Sequence, residues 1–145
     1  MHSFPDLTNN PFYALNDQRH EIKIVNVLKA GRWDLGATWV YGSGKPYTAP
    51  KGIYTIKLLD GTETEYVNVG EKNGPRLAPY HRFDLSATYN FNLGSGKGSM
   101  GLSLFNLYNR SNTWYKEFEI IDSEIIETNV NYLGFTPSLF FNVSF

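Results

Sequence analysis

The chain has 145 residues, enough for one domain, and its formal net charge of −1 at pH 7 gives no electrostatic basis for binding nucleic acid. Cysteine is absent, which excludes disulfides, thiolate metal sites and a cysteine nucleophile. No run of about 18 apolar residues predicts a transmembrane helix, while ten Tyr, ten Phe, three Trp and 13 Gly favour an all-β protein.

The N-terminal part of the chain predicts a loop followed by a β-hairpin. Residues 1–17 are rich in Pro, Asn and Asp, as loops are, and they lack the basic, apolar and small-residue order of a signal peptide. Residues 18–30 and 33–41 alternate apolar and polar side chains, which is typical of strands whose two faces meet different media. The alternation in the first of these strands is imperfect, because Asn26 falls on its apolar side and Val25 and Val27 fall on its polar side.

A long excursion follows at residues 42–79. Within it, residues 53–59 and 63–69 flank the dipeptide Asp60-Gly61, which is a strong signal for a hairpin turn. The excursion is therefore predicted to carry a hairpin of its own.

The clearest pattern lies at residues 82–108. Polar and apolar residues alternate without exception from Arg82 to Leu93, and the return strand alternates as far as Leu104. Residues 94–98, Gly-Ser-Gly-Lys-Gly, are predicted to form the turn. The first strand is roughly twice the usual length of about 5–6 residues. At about 3.3 Å per residue and a tilt near 40°, it is long enough to cross the hydrocarbon of a bilayer.

The rest of the chain repeats this organisation. Residues 109–132 form a second excursion, with a hairpin predicted from residues 114–121 and 124–130. Residues 134–145 form the last strand, in which Phe140 is the exception to the alternation.

Short and long connections alternate along the chain, and most of the acidic residues fall in the two long ones. Aromatic residues lie toward both ends of the predicted strands, as they do in the two interfacial girdles of membrane barrels. We therefore predict an all-β fold consisting of an antiparallel meander of about five long membrane-spanning strands. These strands would form part of a transmembrane β-barrel, with two long extracellular loops that carry hairpins.

Two other architectures compete with this prediction. A cell-surface β-sandwich that binds carbohydrate or protein would use the same aromatic residues as its core. A complete eight-stranded barrel would need the loop hairpins to span the membrane, which the charges of Lys57, Glu63, Glu65, Glu117 and Glu119 make costly.

No pattern in the sequence indicates an enzyme, a metal site or a cofactor. Gly-Ser-Gly-Lys occurs at residues 42–45 and 94–97, but neither copy has the Ser or Thr and the helix that a phosphate loop requires, so both are predicted to be turns. His81 and Asp84 are three residues apart on a strand and should face opposite sides. Asp84 and Arg82 share a face, which favours an ion pair in the lumen or a contact with a plug instead. His2, His20 and His81 have no ligand-type spacing.

Aromatic residues in and beside the long loops are the candidate ligand contacts. Their rings offer large contact areas with a polar group, as needed to stack on a sugar or an aromatic siderophore, and packing among the loops is the competing explanation. The candidates are Tyr47, Tyr54, Tyr66, Tyr80, Trp114 and Tyr115.

Four segments resemble the C-terminal barrel of TonB-dependent outer-membrane receptors. They read ALNDQRHE at 14–21, WVYGSGKPYT at 39–48, GPRLAPYHRFDL at 74–85 and FNLYNR at 105–110, and they follow the order found in that family. The final alternation of Leu139, Phe141, Val143 and Phe145 resembles the C-terminal signal that the barrel-assembly machinery selects.

The resemblance implies that residues 1–145 are a partial receptor barrel domain in the outer membrane of a Gram-negative bacterium. Such receptors close roughly 22 strands around a plug, so the signal peptide and plug are expected outside this chain. The implied function is import of a bulky scarce nutrient: a ferric siderophore, cobalamin or a glycan. The implied partners are outer-membrane lipid, the barrel-assembly machinery, the remainder of the barrel and plug, and TonB through the missing N-terminal part.

Overall fold

The computed structural model describes residues 3–5 and 11–145, and these residues form β-strands without a helix. The all-β prediction is therefore confirmed for the described residues, none of which belongs to a helix able to cross a membrane. The strands are β1 (Ser3–Pro5), β2 (Pro11–Tyr13), β3 (Glu21–Ala30), β4 (Trp33–Gly42), β5 (Pro50–Lys57), β6 (Glu63–Val69), β7 (Tyr80–Leu93), β8 (Gly96–Phe105), β9 (Thr113–Ile121), β10 (Glu124–Asn131) and β11 (Thr136–Ser144).

Five of the strands in the described part of the chain form one sheet, which we call the main sheet. Its order is β11-β8-β7-β4-β3, and each pair of neighbours is antiparallel. This is the predicted meander, because each strand pairs with the next one in the chain that belongs to the sheet. The two predicted loop hairpins are also confirmed, as β5–β6 and β9–β10.

Tight turns explain the short connections of the main sheet. Ala30 pairs with Trp33 and Leu93 pairs with Gly96, so each turn has two residues. Gly31 has φ 62° and Gly94 has φ 59°, and a glycine adopts such positive φ values without steric cost. The turn predicted over residues 94–98 is thus shorter than expected, because Gly96 to Gly98 already pair with strand β7.

The chain divides into two compact units. One comprises residues 20–42, 79–112 and 132–145 and contains the main sheet. The other comprises the described residues up to 19 together with residues 43–78 and 113–131, and it contains β1–β2, β5–β6 and β9–β10. The two long connections of the main sheet therefore contribute most of the second unit.

The register of the main sheet brings the apolar positions of all five strands to the same side. Leu28 lies opposite Leu35, Leu35 opposite Ala87, Ala87 opposite Leu102, and Leu102 opposite Leu139. Side chains on a strand alternate strictly, so one such row fixes the side of every other residue. We call the side that carries these residues the apolar face and the other side the polar face.

No hydrophobic side chain of the described residues is fully buried. On the apolar face, Leu28 is 60% exposed, Phe141 65% and Leu139 81%. The buried larger side chains in the described ranges are polar instead: Asp17, Asn73, Asn106 and Asn112. The main sheet thus has an apolar face, interrupted on β3 by Asn26, whose hydrophobic side chains are exposed or half-buried, which is the reverse of the usual distribution in a water-soluble domain.

A group of three asparagines follows β8, and we call Asn106, Asn109 and Asn112 the asparagine cluster. Strand β8 pairs with β7 only as far as Leu85, so the first residues of β7 need other partners on that edge. The asparagine cluster and its neighbours supply them. Asn112 accepts a hydrogen bond from the His81 amide at 3.1 Å and donates to the His81 carbonyl at 3.0 Å.

Asn106 is the most buried member, with a relative exposure of 0%. Its side-chain amide donates to the carbonyls of Arg110 at 2.9 Å and Leu133 at 3.1 Å, and its Oδ1 accepts from the Arg110 amide at 3.3 Å. Its own amide donates to Asp84 Oδ1 at 2.9 Å. With φ 51° it adopts the left-handed conformation that asparagine tolerates better than most residues.

We expect Asn106→Ala to lower the free energy of unfolding by about 2–4 kcal/mol, because it leaves buried carbonyls without donors and strains the backbone. Asn106→Gly should be less damaging, because glycine keeps the positive φ. Guanidinium titrations in detergent micelles measure both losses. Asn92→Ala, at an exposed position of the same sheet, is the matched control and should change stability by less than about 0.5 kcal/mol. Equal stability of Asn106→Ala and Asn92→Ala would contradict this role.

Candidate functional site

Aromatic rings form a row across the apolar face beside the two tight turns. The ring centroids of Trp33 and Tyr89 are 4.9 Å apart, those of Tyr89 and Phe91 6.2 Å, and those of Phe91 and Phe141 6.1 Å. The rings come from strands β4, β7 and β11, so the row crosses most of the width of the sheet. We call it the lower aromatic row.

Further rings gather toward the opposite ends of the same strands. Trp39 stacks on Tyr41 at 6.1 Å, and Phe83 stacks on Tyr108 at 5.9 Å, with Trp39 directly opposite Phe83 in the register. We call these rings the upper aromatic row. On strands β4, β7 and β8 the residues between the two rows are aliphatic, whereas β3 places Asn26 opposite Ala37. The aliphatic residues are Leu35, Ala37, Leu85, Ala87, Leu102 and Leu104.

The polar face carries the ion pair expected from the sequence. Arg82 Nε lies 3.0 Å from Asp84 Oδ2, while His81 falls on the other side of β7, opposite Tyr41. The guanidinium of Arg82 also lies 4.2 Å from the centre of the Phe105 ring. A favourable cation–π contact therefore accounts for the aromatic residue Phe105 on this face.

Phe140 occupies the polar face, as its place out of phase in the sequence predicts. It lies opposite Gly101 in the register, and its ring covers that glycine so closely that a Cβ there would lie 2.3 Å from Phe140 Cε1. An aromatic side chain over a cross-strand glycine restores packing that the glycine lacks. Phe91 covers Gly98 in the same way on the apolar face.

Strand β11 and the residue after it carry the four residues predicted to form the assembly signal. It lies at one edge of the main sheet, paired with β8. Leu139 and Phe141 are on the apolar face, opposite Leu102 and Met100, and Val143 lies opposite Gly98 on that face. Phe145 follows the strand with its side chain fully exposed.

The candidate ligand contacts do not form a single cluster. Tyr54 and Tyr66 are a directly opposed pair on β5–β6, with ring centroids 5.7 Å apart, and they are 48% and 42% exposed. Trp114 contacts Tyr115 edge to face at 5.1 Å, and both are exposed. Tyr80 belongs to the unit of the main sheet, where its ring contacts that of Tyr132 at 5.4 Å.

Open space adjoins the Tyr54–Tyr66 pair. Gly52 lies two residues before Tyr54 on the same side of the hairpin and opposite Asn68, and no atom lies within 4 Å of where a Cβ would stand. The rings of Tyr54 and Tyr66, the open space over Gly52 and the carboxamide of Asn68 therefore lie side by side on one side of β5–β6. Such a surface offers both stacking area and hydrogen bonds to a ligand.

Tyr47 is instead engaged in packing within its unit. Its ring stacks on Phe118 at 6.4 Å, and Lys116 Nζ lies 5.1 Å from the ring centre. Lys116 also donates a short hydrogen bond to Glu127, which raises the pKa of its ammonium group. The surroundings of Tyr47 therefore fit packing among the loops better than they fit a ring that is free to contact a ligand.

A part-buried arginine ties the first long connection to the N-terminal segment of the same unit. Arg76 forms an ion pair with Asp17, donates to the carbonyls of Asp17 at 2.7 Å and Gly44 at 3.1 Å, and lies over the Tyr13 ring at 5.0 Å. Beside it, the Tyr47 amide donates to Pro75 and the Leu77 amide to Lys45, both at 2.9 Å. The hydrogen bond from Arg76 holds the pKa of Asp17 below its ordinary value.

Comparisons with protein-family models, curated proteins and solved structures give no match to this chain. The resemblance to TonB-dependent receptors accordingly rests on the residues quoted for it.

Sequence reasoning did not identify the Asp17–Arg76 pair or the role of the asparagine cluster. Asp17 and Arg76 are 59 residues apart and have no periodic relation. The spacing of three residues between Asn106, Asn109 and Asn112 was a usable signal, because asparagines concentrate where backbones turn.

The Asp17–Arg76 pair gives a pH dependence with a definite sign. Because folding lowers the pKa of Asp17 below 3.8, the ionised carboxylate stabilises the folded unit above that pH, and the stabilisation is lost as pH falls below it. We expect hydrogen exchange of the Tyr47 and Leu77 amides, corrected for intrinsic rates, to accelerate below pH 3.8. In Asp17→Asn it should be fast already at pH 7.

Asp60→Asn is the matched control for this measurement. The pKa of Asp60 is also lowered, but by the hydrogen bond from the Thr62 amide within its own hairpin turn. Its replacement should leave exchange at Tyr47 and Leu77 unchanged. If the Tyr47 and Leu77 amides were equally protected in Asp17→Asn and in the parent, Arg76 would hold the connection without the Asp17 carboxylate.

Proposed function

We propose that this chain forms part of the barrel wall of a TonB-dependent receptor in the outer membrane of a Gram-negative bacterium. The apolar face carries the proposal: it extends over all five strands of the main sheet, has no fully buried hydrophobic side chain among the described residues and is bounded by two aromatic rows. Its surroundings would be lipid hydrocarbon, with the aromatic rings at the two interfaces.

Strand length supports the same assignment. The strands of the main sheet have between 9 and 14 residues, and a tilted membrane strand needs about 9–11. Strand β3 at one edge and β11 at the other each have a single neighbour among the described residues. Lipid does not satisfy backbone donors and acceptors, so further strands of the receptor barrel would pair with both edges.

The other parts of the chain take the roles that the resemblance implies. The polar face would line the lumen and meet the plug, and Leu139, Phe141, Val143 and Phe145 would be read by the barrel-assembly machinery. The two long connections would be extracellular, and Tyr54 and Tyr66 are the best placed of the aromatic residues to contact the imported nutrient, because their rings are exposed beside open space. Energy would arrive from TonB through the N-terminal part of the receptor.

A cell-surface β-sandwich is less consistent with the described residues. A sandwich buries the apolar face of each sheet against the other, about 10 Å away. The described residues contain no hydrophobic side chain buried in this manner. The carbohydrate- or protein-binding sandwich therefore lacks the interior that defines it.

Membrane fractionation tests the location of the chain. We expect the expressed chain to sediment with outer membranes or aggregates and to require detergent for extraction, because its apolar face is incompatible with water. A monodisperse folded species in detergent-free buffer would refute the proposal.

Paired arginine substitutions test the orientation of the main sheet. Ala87→Arg places a charge in the aliphatic band between Leu35 and Leu102, and we expect it to cost about 2–4 kcal/mol in the free energy of unfolding from lipid vesicles. Thr88→Arg puts the same group on the polar face opposite Asp34, where it should be tolerated within about 0.5 kcal/mol. Equal losses in the two variants would mean that the apolar face does not meet lipid.

A further inference from the structure

The turn between β3 and β4 holds Arg32 in a fixed backbone position. The Arg32 carbonyl accepts a hydrogen bond from the Asn90 amide at 2.8 Å, and the Asn90 side chain approaches the same carbonyl at 3.4 Å. The side chain of Asn90 also donates to Asp34 Oδ2 at 2.8 Å. Arg32 is therefore anchored to β7 as well as to its own hairpin.

The side chain of Arg32 extends toward the apolar face. Its Nη1 lies 3.5 Å from the hydroxyl of Tyr89, a ring in the lower aromatic row that packs on Trp33 at 4.9 Å. In this contact the guanidinium donates and the hydroxyl oxygen accepts, so the phenolic proton is free to be donated elsewhere. A guanidinium, a hydroxyl donor and an indole ring thus lie together at one end of the apolar face.

Acidic groups near this turn are engaged on the polar face. Asp34 bonds to Asn90 and lies 3.8 Å from Lys29 Nζ. No carboxylate of the described residues forms an ion pair with Arg32. Lys97, beside the other tight turn, lies opposite Asn92 and Ser144 and so belongs to the polar face.

We propose that Arg32 and Tyr89 bind the phosphodiester of an anionic glycerophospholipid at the short-turn end of the sheet, a site that rests on the proposed function. The planar guanidinium matches two phosphate oxygens, and the Tyr89 hydroxyl donates to a third acceptor or shares one of them. The acyl chains of the same lipid would then lie along Trp33, Leu35 and Ala87 on the apolar face.

Lipid titration monitored by native mass spectrometry tests this site. The chain is solubilised in a neutral detergent and titrated with phosphatidylglycerol, with phosphatidylcholine and with glycerol 1-phosphate as a free headgroup. The variants are Arg32→Gln, Arg32→Lys, Tyr89→Phe and the control Lys97→Gln, which removes the same charge beside the other turn. Far-UV circular dichroism of each variant checks that the β-sheet content is that of the parent.

A basic residue near a membrane surface contributes about 1 kcal/mol, so Arg32→Gln should weaken phosphatidylglycerol binding about fivefold. Arg32→Lys and Tyr89→Phe should lose less, and Lys97→Gln should bind as the parent does. The parent chain should bind phosphatidylcholine and glycerol 1-phosphate more weakly than it binds phosphatidylglycerol.

Any of four results would overturn the site. Equal weakening in Arg32→Gln and Lys97→Gln would mean that only the overall charge attracts the lipid. Binding of glycerol 1-phosphate as tight as that of the lipid would mean a site for a free anion. A parent chain that enters micelles but does not prefer phosphatidylglycerol would remove the lipid site and leave the proposed function intact, whereas a chain soluble without detergent would remove both.

Discussion

The main sheet is constrained by a single requirement: most of its apolar side chains, with Phe105 and Phe140 among the exceptions, lie on one face and must be removed from water together. Five strands alternate in phase, so no rotation of one strand can hide its own apolar residues without breaking the ladder to its neighbours. A single sheet has no interior, and its apolar face is stabilised only by what lies against it. Under the proposed function, the length of the strands, the aromatic rows and the tight turns are adaptations to an apolar medium of limited thickness.

The parts of the chain that exclude water do so with polar groups. Asn106, Asn112 and Asn73 are buried because backbone carbonyls and amides around them need partners that no neighbouring strand supplies. Asn73 belongs to the other unit, where Asp17 and Arg76 act in the same way. Local order in the long connections thus comes from hydrogen bonds and ion pairs rather than from a hydrophobic core.

Regular alternation made the main sheet and both loop hairpins predictable, since period-two patterns and Asp-Gly or Gly-rich turns report directly on strands and hairpins. The ends of elements were less predictable. Residues 96–98 look like a turn because two of the three are glycines, yet they pair with β7, where the Phe91 ring fills the space over Gly98. The candidate ligand contacts were hardest, because ring chemistry alone does not distinguish the exposed Tyr54–Tyr66 pair from Tyr47, which is packed against Phe118.

The odd number of strands in the main sheet fixes the relative direction of its two edge strands. With the order β11-β8-β7-β4-β3 and every pair antiparallel, the two edge strands run in the same direction. The sheet therefore cannot close on itself by antiparallel pairing of β3 with β11. If two copies were related by a twofold axis parallel to the strands, β3 of one copy and β11 of the other would also run parallel. Any closed wall of wholly antiparallel strands that contains this sheet must add an odd number of strands, so that the total is even.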